Sequence, residues 1–157
     1  MRTKDRTDCL KTPVQMIMSR DVTCLAYDDT VRQALETASE ENLAAFPVVD
    51  ESGKCVGVLS RSDLSELFVE LDECVERLSG ESTRYVADLP DGFRTKVSEF
   101  MSPKAITIEL EQTVVEAASL MSKNHIHHLP VVDNAGAIRG IVSTLDIARW
   151  VSECFTE

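Results

Sequence analysis

Apolar and polar residues follow the same order twice along the chain. Short runs rich in branched apolar residues, typical of buried strands, occur in two pairs. They occupy residues 46–49 and 55–59, and again residues 129–132 and 138–142. A turn segment with a glycine, Gly53 or Gly136, separates the two runs of each pair. Each pair of runs therefore predicts a β-hairpin.

Helices are predicted on both sides of each hairpin. Apolar residues recur at helical spacing from Val31, after the cap candidates Asp28, Asp29 and Thr30. A second helix is predicted from Thr113 to Lys123. Short extended pieces, at Val22 to Leu25 and at Ile106 to Ile108, precede these helices. Apolar stripes also follow each hairpin. They comprise Leu64, Leu67, Phe68, Leu71, Val75 and Leu78 in the first case and Ile147, Trp150, Val151 and Cys154 in the second.

A shift of 83 residues superimposes the two halves without a gap. It pairs Pro47 with Pro130, Gly57 with Gly140 and Asp63 with Asp146. The chain therefore contains one β-α-β-β-α repeat used twice. The predicted fold class is α/β (α+β), with the exposed sheet faces of two such repeats buried against each other as a pseudo-twofold pair. The predicted divisions are a loose N-terminal arm at residues 1–12, repeat 1 at 13–78, a connection at 79–95 and repeat 2 at 96–157.

Composition narrows the possible partners. The formal net charge of −11 opposes unspecific binding to nucleic acid or to an anionic membrane. No apolar run approaches the roughly 20 residues of a membrane-spanning helix. The charged N-terminus lacks the apolar centre of a signal peptide. Five scattered cysteines indicate reduced thiols. We therefore expect a cytoplasmic protein that binds neither nucleic acid nor membrane.

The repeated motifs resemble those of the CBS-domain pair, or Bateman module. They are Met-Ser before each repeat's first strand, an apolar-Pro-Val-Val-Asp strand, and a Gly-apolar-apolar-Ser-x-x-Asp strand and helix start. The sequences that carry them are Met18-Ser19 and Met101-Ser102, Phe46–Asp50 and Leu129–Asp133, and Gly57–Asp63 and Gly140–Asp146. The resemblance covers nearly the whole chain and indicates a stand-alone CBS-pair protein.

The resemblance implies a regulatory module that binds AMP, ADP, ATP or a related adenosine compound in two clefts between the repeats, without a required cofactor. Carried onto this sequence, one cleft would use Ser60, Asp63, Ile106, Thr107, His127 and His128. The other would use Ser143, Asp146, Val22, Thr23, Ala44 and Ala45. The cleft with the histidines is expected to bind nucleotide more tightly. Such modules commonly form homodimers and signal to a protein partner.

The residue types suit this chemistry on their own. A carboxylate such as that of Asp63 or Asp146 can accept charge-assisted hydrogen bonds from both ribose hydroxyls. The serine three residues earlier lies at a helix start, where free N–H groups favour a phosphate. The same Ser-x-x-Asp pattern also resembles a helix-capping box with Asp in place of Glu.

Other functions remain open on the sequence. If the Ser-x-x-Asp motifs only cap helices, the chain is a ligand-free interaction or scaffold module. His127, His128 and a nearby cysteine could instead serve a metal or redox sensor, since imidazole binds zinc, nickel and copper. Strand alternation, however, would point the two histidines to opposite faces, so no metal site is predicted. No phosphate loop, nucleophile elbow or zinc-protease motif is present, so we do not expect an enzyme.

Overall fold

The computed structural model describes residues 9–41, 45–60, 62–63, 95–102 and 104–155. Predictions for residues 1–8, for the apolar stripe Leu64 to Leu78 and for the connection from 79 to 94 lie outside the described residues. Ala44, one of the predicted site residues, lies outside them as well.

Both repeats show the predicted order of elements as far as they are described. Repeat 1 opens with a 3-10 turn, Val14–Met16, followed by β1 (Leu25–Ala26), α1 (Val31–Glu41), β2 (Ala45–Val49) and β3 (Cys55–Ser60). Repeat 2 has α2 (Val97–Phe100), β4 (Ile108–Glu109), α3 (Val114–Asn124), β5 (His128–Val132), β6 (Ile138–Ser143) and α4 (Thr144–Phe155). The β-α-β-β-α prediction is confirmed for the whole of repeat 2.

Each repeat contributes a three-stranded sheet, with strand order β1-β2-β3 in one and β4-β5-β6 in the other. The first two strands of each sheet are parallel, with Leu25 opposite Val48 and Ile108 opposite Val131. β5 and β6 are antiparallel, with His128 opposite Ser143. The short first strand thus returns through a helix to a parallel neighbour, which is the expected use of a helical crossover.

The structure divides into two compact units. Each unit joins the opening segment of one repeat to the remainder of the other repeat. Unit 1 contains Met1–Val22, Gly53–Cys55 and Ala105–Glu157, whereas unit 2 contains Thr23–Ser52 and Val56–Lys104. In unit 1, Ser19 forms an antiparallel bridge with Ile141 of β6. In unit 2, Ser102 forms the matching bridge with Val58 of β3. The Met-Ser motif of each repeat therefore packs on the last strand of the other repeat.

The core of unit 2 forms where α1 covers the sheet. Phe46, Val48 and Leu59 are fully buried on the strands, and Val31 and Ala34 face them from the helix. The predicted helical spacing of apolar residues in α1 is therefore confirmed. Burial of such side chains stabilises the unit by about 1.5–3 kcal/mol each.

The core of unit 1 is built the same way and extends to the N-terminal segment. Leu129, Val131 and Val142 pack against α3, whose buried residues are Val114, Ala117 and Met121. Cys9 is only 1% exposed and packs with Val114 and Trp150. The expectation of a loose arm through residue 12 therefore fails from Cys9 onward.

The buried face of helix α4 differs from the predicted one at Val151. Trp150 is buried as expected, and Ile147 and Cys154 are partly buried. Val151 was predicted to face inward but is 43% exposed. The inward stripe is therefore narrower than the apolar spacing suggested, since apolar residues on a helix surface need not all be covered.

The end of α3 carries local backbone strain. His125 follows the helix in the left-handed region, with φ 54° and ψ 39°, and its N–H donates to the Met121 carbonyl. Glycine adopts this conformation without the Cβ clash that costs other residues about 1 kcal/mol. His125→Gly is therefore expected to raise the free energy of unfolding by about 0.5–1 kcal/mol.

Thermal unfolding of the ligand-free chain measures this effect. His125→Ala is the matched control, because it shortens the side chain but keeps the Cβ atom and the strain. Equal stability of the glycine and alanine variants would show that the left-handed backbone costs nothing at this position.

Candidate functional site

The Ser60–Asp63 pair forms a reciprocal helix cap. Oδ2 of Asp63 accepts hydrogen bonds from the backbone N–H of Ser60 at 2.6 Å and from its hydroxyl at 2.7 Å. The backbone N–H of Asp63 points back to Oγ of Ser60 at 3.3 Å. The geometry therefore confirms the capping box that the Ser-x-x-Asp pattern resembles in the sequence.

The Ser143–Asp146 pair repeats this arrangement at the start of α4. Oδ2 of Asp146 accepts from the N–H of Ser143 at 2.8 Å and from its hydroxyl at 2.6 Å. Oδ1 of Asp146 lies 3.9 Å from a guanidinium nitrogen of the exposed Arg149. Each cap therefore uses one carboxylate oxygen and fixes the orientation of the other.

Two further helices use the same cap with longer side chains. The helix α1 is capped by Thr30 with Gln33, and α3 by Thr113 with Glu116. Capping alone thus works with an amide or a carboxylate at the third position, and with Glu as well as Asp. The cap therefore does not by itself require the aspartates at 63 and 146.

Strand pairing brings the predicted histidines to the Ser143–Asp146 cap. His128 lies opposite Ser143, and the N–H of Thr144 donates to the His127 carbonyl at 3.0 Å. His128 is half-buried, whereas His127 is exposed. Burial chiefly, and then the charge of His127, lowers the pKa of His128, while Asp146 opposes this shift. His128 is therefore mainly neutral at pH 7, so that one ring nitrogen donates and the other accepts.

The remaining site residues are strand or pre-strand positions. Ile106 packs against the core of unit 1, and Thr107 beside it is half-buried. Val22 and Thr23 are half-buried just before β1, and Ala45 is buried in β2. All five side chains are uncharged, and those of Ile106, Val22 and Ala45 are aliphatic. The predicted pairing of Ser60 and Asp63 with the histidines, and of Ser143 and Asp146 with Val22, Thr23, Ala44 and Ala45, stays a prediction.

The sequence did not point to a pocket of about 400 Å³ in unit 1. Its wall includes Met121, His125, Ile126, His127, Thr144 and Ile147. Most of these are ordinary helix or helix-end positions, and only His127 is among the predicted site residues. The pocket opens next to the Ser143–Asp146 cap, since Thr144 lies on its wall.

Neither metal binding nor membrane insertion gains support from the part of the chain that the structure describes. Among those residues, no group of three or more His, Cys, Asp or Glu side chains is placed to hold a metal ion. No described helix combines the length and apolar character needed to cross a membrane.

Two repeated units, in each of which the last strand leads into a serine–aspartate cap, define a tandem-repeat α+β protein. The CBS domain family matches residues 14–70 and 97–153, so the chain belongs to the CBS domain family. The resemblance seen in the sequence is thereby confirmed.

Similar proteins match this chain over most of its length. A CBS domain-containing protein of Dictyostelium discoideum is 30% identical over 142 residues, which are 88% of this chain and 90% of that protein. An uncharacterized protein of Methanocaldococcus jannaschii is 28% identical over 148 residues, covering 85% of this chain and 88% of the relative.

The fold matches solved CBS domain pairs. The CBS domain pair of protein MJ0100 was solved in complex with 5′-methylthioadenosine and S-adenosyl-L-methionine. It is 25% identical to this chain with a TM-score of 0.71, and the match covers 90% of this chain and 97% of that one.

Proposed function

We propose that this protein is a regulatory module that binds an adenine nucleotide or related adenosine compound and signals the bound state to a protein partner. The observation that carries the proposal is the pair of aspartates, Asp63 and Asp146, each held by a serine at a helix start. The proposed role is regulatory rather than catalytic, and the expected location is the cytoplasm.

The aspartates suit a ribose because their caps leave part of the carboxylate unused. Within the described residues, Oδ2 of each aspartate receives the serine hydrogen bonds. Among the described residues neither Oδ1 accepts a hydrogen bond, although that of Asp146 lies 3.9 Å from the exposed Arg149, so each can accept from a ribose hydroxyl. A charged acceptor gives a short, strong hydrogen bond of this kind.

The adenosine class is favoured by a solved relative. The CBS domain pair of protein MJ0100, which shares this fold and 25% of its residues, binds two adenosine compounds. Each proposed ligand set also contains a half-buried aliphatic side chain of the kind that contacts a purine, Ile106 in one and Val22 in the other.

The proposed ligand residues follow the family resemblance. They are Ser60, Asp63, Ile106, Thr107, His127 and His128 for one ligand, and Ser143, Asp146, Val22, Thr23, Ala44 and Ala45 for the other. The first set is expected to bind a phosphate-bearing nucleotide more tightly, because only it contains imidazoles. A homodimer remains the expected oligomeric state.

A ligand panel tests the proposal directly. Thermal unfolding is followed with AMP, ADP, ATP, S-adenosylmethionine, methylthioadenosine and, as a base control, GTP. A ligand that binds only the folded chain stabilises it by about 2.7 kcal/mol at 100 times its dissociation constant. We expect such a shift with at least one adenosine compound and none with GTP.

The second candidate function is a ligand-free scaffold in which the serine–aspartate pairs act only as helix caps. The complete hydrogen bonding of both caps favours this alternative as a structural role. No shift with any adenosine compound at millimolar concentration would reject the nucleotide proposal and leave the scaffold.

A further inference from the structure

We propose that His128 makes the preference between anionic and cationic adenosine ligands depend on pH. The inference rests on the proposed function and concerns the regulation of the same site. It assigns the effect to one of two neighbouring histidines. It also predicts that a fall in pH changes the affinities of two adenosine ligands in opposite directions.

The position of His128 carries the inference. Strand β5 begins at His128, opposite Ser143 on β6. Ser143 donates two hydrogen bonds to Asp146 Oδ2, so the imidazole and the fixed carboxylate lie at the same end of the sheet. A ligand bound through His128 would therefore lie within the electrostatic reach of both the imidazole and this carboxylate.

The charged groups around His128 are few in the described part of the chain. His127 precedes it on its own segment, and Asp146 faces it from α4. Its partner on β6 is the uncharged Ser143. The exposed Arg149 lies 3.9 Å from Asp146. With so few neighbours, the charge on a bound ligand becomes a large part of the electrostatic balance at His128.

The two histidines differ in how strongly they would sense a ligand. His128 is half-buried, and burial is the largest cause that lowers its pKa below the usual value. His127 is exposed, so water screens its interactions. A ligand charge beside the half-buried His128 is screened less by water and therefore changes the proton affinity of His128 strongly.

Proton linkage gives the sign for each ligand. A phosphate stabilises the protonated imidazole and raises its pKa, so binding takes up a proton and affinity rises as the pH falls. A sulfonium cation opposes protonation, so affinity falls as the pH falls. Methylthioadenosine is uncharged and serves as the reference. Each unit of pKa change corresponds to about a tenfold change in affinity.

Isothermal titration calorimetry of the full chain, at about pH 7.5 and about pH 5.5, tests the inference. The ligands are AMP, S-adenosylmethionine and methylthioadenosine. Relative to methylthioadenosine, AMP should bind about tenfold more tightly at the lower pH, and S-adenosylmethionine more weakly. His128→Gln should remove these changes, and His125→Asn, at an exposed histidine outside the proposed ligand residues, should keep them.

Comparing the parent chain with His128→Gln also separates the titration of His128 from the titration of the ligands themselves. A phosphate has its own pKa near about 6, but this contributes equally in both variants. A merely structural role for His128 would change the affinity of all three ligands in the same direction. Circular dichroism at both pH values checks that each variant is folded.

The outcomes separate the inference from the proposed function. Binding with the same pH dependence in the parent chain and in His128→Gln would overturn the role of His128 and leave the proposed function intact. Loss of the pH effect in His127→Gln but not in His128→Gln would place the effect at His127 and overturn the inference. Absence of binding by every ligand at both pH values would overturn both proposals.

Discussion

Asparagine in place of Asp63 or Asp146 is expected to weaken binding of an adenosine ligand about tenfold or more while keeping the helix cap. The amide oxygen of asparagine can still accept the two hydrogen bonds from Ser60 or Ser143 that the carboxylate accepts. The second atom becomes an NH₂ group, which donates and cannot accept from a ribose hydroxyl. Calorimetric titration with the best ligand of the panel measures the loss.

The stability of these variants should change little. Removing a negative charge from a helix N-terminus costs about 0.3–1 kcal/mol. Replacement by alanine would instead remove the cap and mix two effects, which is why asparagine is the sharper change. Urea unfolding of the ligand-free variants separates the effect on folding from the effect on binding.

Glu116→Gln is the matched control for the aspartate variants. Glu116 completes the same kind of cap on α3, with Thr113 in place of serine, and makes the same acid-to-amide change possible. Ligand affinity should be unaffected, because Glu116 is not among the proposed ligand residues. Parent-like affinity in both Asp63→Asn and Asp146→Asn would show that the aspartates are helix caps only.

Local patterns predicted the elements well because the interactions that form them are local. Helical spacing placed the start of α1 at Val31, and Thr30 caps it as expected. Gly53 and Gly136 have φ values of 79° and 83°, as the two turns require. The serine–aspartate pairs could be read as caps because both partners lie within one helical turn.

Interactions between distant segments escaped prediction. Nothing near Cys9 indicates that it packs with Trp150, since no helical or strand period connects residues so far apart. The Met-Ser motifs were recognised, but not their exchange onto the opposite strands. A single sequence specifies which residues are apolar and where turns occur, whereas the choice of partner depends on packing across the whole chain.

The function of the Ser-x-x-Asp motif is ambiguous in the sequence for a physical reason. A helix start provides free N–H groups, and these suit both a capping side chain and a ligand anion. Hydrogen bonds of Asp63 and Asp146 in the ligand-free chain satisfy the first role without excluding the second. Only the ligand can distinguish the two roles, and the asparagine variants are designed for that comparison.

Alanine in place of Gly140 is expected to destabilise the chain by about 1–3 kcal/mol or more, and more than alanine at Gly57. A Cβ atom at residue 140 would lie 2.5 Å from Sδ of Met18 and 2.7 Å from the backbone oxygen of Ser19. At Gly57 the added atom would meet the side chain of Met101, but it would lie 3.0 Å from the backbone oxygen of Ser102. A flexible side chain can move away more easily than a bridged backbone.

Truncating the methionines tests this difference. Met18→Ala leaves the Ser19 oxygen in place, and Ser19 is fixed by two hydrogen bonds of 2.9 Å with Ile141. It should therefore relieve little of the Gly140→Ala strain. Met101→Ala removes the closest obstacle at Gly57 and should relieve most of the strain there. Urea unfolding of the single and double variants gives the two coupling energies.

The destabilisation by Gly140→Ala also tests the exchange of opening segments. A large destabilisation that persists in Met18→Ala places the backbone of Ser19, and with it the Met-Ser motif of repeat 1, on β6 of repeat 2. A parent-like stability of Gly140→Ala would mean that this segment does not lie on β6 in solution. Since β6 leads directly into the Ser143–Asp146 cap, strain at Gly140 should also weaken adenosine binding through Asp146 more than strain at Gly57 does.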